Sequence, residues 1–164
     1  MTATPAALTP TQLEAYFAFT EVSSLLRPAI EKQLRDTGAL SYIQFQLLAR
    51  LGDSIDGHLR MTDLADGVVY SRSGLTYQAQ LLDQRGLITR SPSPDDERST
   101  VVAITATGRE VLAAVFPGHI EAVREFLFAP LTDDDADDLA RILGRVSAHL
   151  RAAPPRSATR RRKM

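Results

Sequence analysis

Arg72, Ser73, Thr76, Tyr77 and Gln80 lie on the outward side of a helix that the sequence predicts over 72–85. All five are short or planar hydrogen-bonding groups. Such groups match the donor and acceptor edges of bases and the phosphate oxygens of a nucleic-acid duplex. A merely solvated helix face carries a Lys/Glu mixture instead. The chemistry this points to is recognition, with no covalent step. Catalysis has no comparable footing. His58, His119 and His149 are scattered and lack metal-ligand spacing, and no G-x-S-x-G elbow, phosphate loop or dinucleotide fingerprint occurs. The five acids Asp133, Asp134, Asp135, Asp137 and Asp138 read as a solvated helix start. Neither a metal nor a cofactor is expected.

The elements that must hold those five side chains follow from periodicity and caps. A short helix through residue 69, with Thr62 as its cap, turns Leu64, Ala65 and Val68 inward. Ser71 caps the next helix, whose Leu75, Ala79 and Leu82 recur at i, i+4 and i+7, and Gly86 stops it. Two helices joined by a tight turn can set the second into a major groove. Residues 87–90 (LITR) form a strand, 91–97 a Pro-punctuated tip, and 99–105 (STVVAIT) the β-branched return. Residues 58–60 make a short strand before the first of the two helices. A hairpin placed here reaches the duplex beside the second helix, and Arg90 on its first strand joins the candidate contacts.

Long helices flank this head. Thr9-Pro10-Thr11-Gln12 is a capping box with proline at N1. The helix it starts carries a wide apolar stripe from Leu13 to Leu34, should kink ahead of Pro28, and should close on Gly38 as its C′ residue. Ser41 caps a second helix with Tyr42, Phe45, Leu48 and Leu51. After the hairpin, Thr105 or Thr107 caps a helix that Pro117-Gly118 should kink or break. Thr132 opens the last helix, whose seam is Leu139, Ile142, Leu143, Val146 and Leu150. These stripes need a partner surface, either each other or a second copy related by a two-fold axis.

Composition sets outer bounds. The chain has 164 residues, 44% hydrophobic and 24% charged, which suffices for a core without disulfides or metals. Cysteine is absent, which excludes a thiolate site and fits a reducing, cytoplasmic setting. No apolar run is long enough for a membrane helix, and no signal-peptide pattern opens the sequence. Net charge argues less simply. The whole chain carries −1, but six bases in the last 14 residues leave −7 on residues 1–150. Between residues 67 and 100, Arg72, Arg85, Arg90 and Arg98 face Asp83, Asp95, Asp96 and Glu97. A basic footprint is therefore missing from the head, and the case for nucleic acid rests on pattern rather than charge.

Residues 62–108 resemble the MarR family of winged-helix regulators. The resemblance is carried by TDLADGVVYSRSGLT, by LLDQRGLITR, and by DDERSTVVAIT followed by Thr107-Gly108. Asp96-Glu97-Arg98 is similar to that family's D-x-R wing signature. A weaker likeness in helix order and length extends over 9–150. Tyr77 stands where many members carry a basic residue and Gln78 where many carry an aliphatic one, which bears on base preference rather than fold. The resemblance implies that Arg98 enters the minor groove while Asp96 helps hold it. It also implies a small aromatic or phenolic ligand between the flanking lobe and the head, with Tyr16, Phe19, Phe45 and His58 as candidate lining residues.

The expected protein is thus mainly α with a small β-wing, a winged helix-turn-helix flanked by N- and C-terminal dimerisation helices. Residues 9–57 form the N-terminal support, 58–107 the reading head, 108–151 the C-terminal dimerisation helices and 152–164 a basic disordered tail. The expected function is a homodimeric, ligand-responsive repressor on a pseudo-palindromic double-stranded operator. The alternative is a winged-helix module that binds protein.

Overall fold

The computed structural model describes residues 7–68, 72–94 and 99–152, and of Arg72 the backbone alone. Helix α1 (Pro10–Gly38) begins at the expected capping box: the Thr9 hydroxyl accepts from the Gln12 amide at 3.2 Å and Gln12 accepts from the Thr9 amide at 2.9 Å. Pro28 does not interrupt the helix. Gly38 is its last helical residue rather than its C′ residue. The left-handed position falls on Ala39, at φ 50°, whose amide bonds back to Arg35 while that of Leu40 reaches Leu34. Gly38 is small for a different reason, since a Cβ there would run into Val115.

Helix α2 (Tyr42–Asp53) starts at a second capping box, Ser41 with Gln44. It is the hub of the fold and packs against α1, the reading head and the helix over residues 106–123 alike. Leu47, Leu48 and Leu51 are almost wholly buried there. Strand β1 (His58–Arg60) runs straight into α3 (Met61–Gly67). That helix has Arg60 at its N-cap position with no side-chain cap bond, so Thr62 sits inside the first turn instead of capping it. Helix α4 (Arg72–Gln84) follows; the expected Ser71 cap lies outside the described residues.

Strands β2 (Ile88–Pro92) and β3 (Thr100–Ile104) form the hairpin, and β1 joins the other side of β3 to give an antiparallel sheet in the order β1-β3-β2. Ile88 pairs with Ile104, Pro92 with Thr100 and Leu59 with Val102. Strand β2 extends two residues beyond the expected 87–90 run, and as an edge strand it accommodates Pro92.

Helix α5 (Ala106–Val123) is capped by Thr105 and runs unbroken past Pro117-Gly118. An irregularity that the sequence did not signal follows it, a π-helical turn over Arg124–Phe128 closed by the Ala129 amide on the Arg124 carbonyl. Helix α6 (Asp133–Ala152) opens at Thr132, whose hydroxyl accepts from the Asp135 amide while the Asp135 carboxylate accepts from the Thr132 amide and hydroxyl. These bonds hold the Asp135 carboxyl below its ordinary pKa. Among the described residues no helix is long and apolar enough to cross a membrane.

Candidate nucleic-acid interface

Helix α4 divides cleanly into two faces. Leu75, Ala79 and Leu82 are fully buried against the core formed with Leu64, Ala65, Val68 and α2. Burying such a face stabilises by roughly 1.5–3 kcal/mol per large side chain, so the helix has one rotational setting. That setting leaves Ser73, Thr76, Tyr77 and Gln80 exposed, with Tyr77 59% accessible despite its size. Gln78 is half-buried at the boundary of the two faces, with its Oε1 buried and unbonded. Arg72 occupies the first residue of the helix.

The preceding helix is held to the core from its far end. Arg50 of α2 donates through Nη2 to the Gly67 carbonyl at 3.1 Å. Gly67 is confined by this contact, since a Cβ would lie 2.6 Å from the guanidinium carbon.

The hairpin is fixed to α4 by its base. Arg90 Nε donates to Asp83 Oδ2 at 3.2 Å, and both side chains are about two-thirds buried. The structure thus engages Arg90, a candidate DNA contact, in holding β2 against the last turn of α4. Ser93, 4% exposed, donates its amide to the Ser99 carbonyl at 2.8 Å and closes the described part of the wing. Asp96 and Arg98 lie outside the described residues.

Residues of positional importance were missed by sequence reasoning. Arg85, in the sequence merely a base near a helix end, donates to the carbonyls of Ala39 at 2.8 Å and Gly38 at 3.0 Å. Thr105 was expected only as a cap, yet its hydroxyl also donates to the Gly86 carbonyl at 2.7 Å. Gly108 lies so near the Leu87 carbonyl that a Cβ would collide with that oxygen. Partners 46 residues away along the chain leave no local signal.

The four candidate ligand-lining residues occupy different environments. Tyr16 and Phe19 stand on the exposed outer face of α1, 57% and 56% accessible. Phe45 is buried, its ring 4.4 Å from that of His119 of α5. His58 is exposed on β1, with Nδ1 3.3 Å from the Asp56 carbonyl oxygen. One open hollow is lined by Glu31, Arg35, Ala39, Leu40 and Ser41 and another by Ile142, Arg145, Val146 and His149, and none of the four residues lines either. Burial beside Phe45 and Phe116 lowers the pKa of His119. Among the described residues no group of His, Asp or Glu could hold a metal ion.

Comparison with known proteins agrees with this geometry. Residues 40–99 match the model of the MarR family. A MarR family transcriptional regulator of Streptomyces coelicolor, crystallised in complex with DNA, superposes with a TM-score of 0.86 at 30% identity, covering 93% of this chain and 94% of that one. The transcriptional regulator PecS of Dickeya dadantii is 28% identical over 130 residues, 79% of this chain and 77% of PecS. The transcriptional repressor YetL of Bacillus subtilis is 24% identical over 132 residues, 80% of this chain and 78% of YetL. A buried-face helix presenting hydrogen-bonding side chains, a hairpin pinned beside it and these relatives lead to one assignment: the chain belongs to the MarR family and is a DNA-binding transcriptional regulator, not an enzyme.

Proposed function

We propose that this regulator works as a homodimer on a pseudo-palindromic operator and acts as a repressor. The observation that carries the dimer is α6. None of its residues is buried, and it packs extensively against no other element of the described chain. Its seam (Ile142, Leu143, Val146, Leu150) and the outer stripe of α1 (Leu13, Phe17, Leu25 among others) stand in solvent. A 20-residue amphipathic helix keeps such a face only when something covers it. A second copy of the same two helices is the economical cover, and two-fold symmetry then sets two α4 helices against two half-sites about one DNA turn apart. The repressor reading draws on the relative named as one.

Within each head, Arg72, Ser73, Thr76, Tyr77 and Gln80 contact the major groove and Arg98, supported by Asp96, reaches the minor groove. The effector is a small aromatic molecule that changes the separation of the two heads, a population shift between competent and incompetent dimers. The test is selection from random duplex pools, followed by titration of the winning duplex at two salt concentrations. Arg72→Ala and Arg98→Ala should each weaken binding by about 1–3 kcal/mol. Unchanged affinity in both variants contradicts the assignment of contacts, and a selected site without inverted symmetry contradicts the dimeric mode.

A further inference from the structure

The end of α4 and the two residues that follow it are tied to three other elements by side chains. Asp83 holds Arg90 of β2, and the Gly86 carbonyl takes the hydroxyl of Thr105 at the start of α5. The third tie is the unusual one. Arg85 spreads its guanidinium over the end of α1, Nη1 to Ala39 and Nη2 to Gly38. An arginine at or just past a helix end ordinarily meets the carbonyls of its own helix. Here it meets those of another helix, where the negative end of the α1 dipole attracts it.

The end of α1 is itself a fixed corner. Ala39 is the one non-glycine residue at positive φ among those described, and the backbone bonds Ala39 to Arg35 and Leu40 to Leu34 lock the turn. Gly38 is pressed against Val115 of α5. Helices α1 and α4 otherwise share no extended packing face. The guanidinium fork, with its planar and fixed donor directions, is therefore a direct polar link between their ends.

We propose that Arg85 is a positioning residue that makes the orientation of α4 follow the C-terminal end of α1, so that any displacement of the flanking helices reaches the DNA-reading face. This rests on α4 being the reading helix, as argued above. Arg85 is exposed, so its two bonds contribute little to stability. What they supply is direction: two adjacent carbonyls gripped by one rigid plane allow one relative setting of the two helices.

The absence of cysteine makes the test clean. Lys32→Cys on α1 and Gln80→Cys on α4, both exposed, take a pair of spin labels in the full chain. Diluting labelled chain into excess unlabelled chain restricts the measured distance to one molecule whatever the oligomeric state. The distance distribution is recorded without DNA in the presence of Arg85, Arg85→Lys and Arg85→Gln. Affinity for the selected duplex is measured in parallel on chains without labels.

The expected result for Arg85→Gln is a distribution at least twice as wide and an affinity about ten-fold lower, with Tm changed by only a few degrees. Arg85→Lys keeps the charge but not the fork, so it should widen the distribution nearly as much. It also serves if the glutamine variant fails to fold. Unchanged width in either folded variant overturns the link. An affinity loss with unchanged width makes Arg85 a phosphate contact and overturns it equally. A widened distribution with full affinity overturns the transmission, and counts against α4 as the reading helix rather than against the tie.

Discussion

Two glycines show how much the identity of a neighbouring atom decides. A Cβ at Gly108 meets the carbonyl oxygen of Leu87, which belongs to backbone fixed between α4 and β2. A Cβ at Gly67 meets only the tip of Arg50, which can swing away. Gly108→Ala should therefore destabilise by about 2–3 kcal/mol through overpacking, lowering Tm by roughly 5–10 °C for a chain of this size. Gly67→Ala loses the Arg50 bond, about 1 kcal/mol, but gains about as much in helix propensity. Its Tm should stay nearly constant while hydrogen exchange in α3 accelerates. His119 gives a pH signature. Burial lowers its folded pKa below the ordinary 6.5, so between the two values the unfolded chain binds the extra proton. Stability from this group is complete above 6.5, is lost as pH falls from there towards the folded pKa, and levels below it. The urea midpoint should fall between about pH 7.5 and about pH 5.5, and His119→Gln should remove part of that slope. At this scale the outward set on α4 was legible because helical periodicity alone sorts Ser73, Thr76, Tyr77 and Gln80 from Leu75, Ala79 and Leu82. The engagement of Arg90 with Asp83 was not, since it depends on how β2 folds back on α4.

Element boundaries were legible wherever they rest on bonds three residues apart. The box at Thr9, the caps at Ser41 and Thr132, the cap at Thr105 (one of two candidates with Thr107) and the left-handed Gly86 lie where residue type puts them. The misses follow an equally physical pattern. Helix α3 starts at Met61 because β1 feeds directly into it, so pairing with β3 overrides the local preference of Thr62. Helix α1 ends on Gly38, whose place is set by contact with Val115, and the left-handed turn passes to Ala39. Helix α5 survives Pro117-Gly118 because α1 packs along it, with Gln33 donating to the Val115 carbonyl at 3.3 Å. Thr105 is where local and distant bonding meet. Its hydroxyl caps α5 and also holds the carbonyl of Gly86, so Thr105→Val should cost about 1 kcal/mol for the cap and about 1 kcal/mol for the second bond. Thr105→Ser, which keeps the oxygen, should recover most of this in urea unfolding. Recovery by serine separates the hydroxyl from the packing of the side chain; equal loss in both variants would assign the effect to the methyl group.

At the scale of the whole molecule the reading head and the flanking helices have opposite characters. Every inward side chain of α4 meets a core, whereas Ile142, Leu143, Val146 and Leu150 of α6 remain 39–67% exposed. The core around Leu34, Leu48 and Leu82 is complete without α6, so folding of the head does not require that helix. DNA affinity does, if two heads must be held in register. Losing one of two linked contacts removes the effective-concentration gain, commonly 10²–10⁴-fold. Ile142→Glu combined with Val146→Glu places four charges per dimer in the proposed seam. Sedimentation should then show a monomer, the far-ultraviolet spectrum and Tm of the head should change little, and affinity for the selected duplex should fall by about 100-fold or more. A variant that stays dimeric contradicts α6 as the interface. A monomer with undiminished affinity contradicts the two-site mode, because the neutral reading head would then supply the whole binding energy without doubling. That outcome is disfavoured by the charge distribution itself: between residues 67 and 100 four arginines face four acids. A single head so balanced gains little from phosphate neutralisation, and pairing two of them is the direct way to turn modest half-site contacts into specific binding.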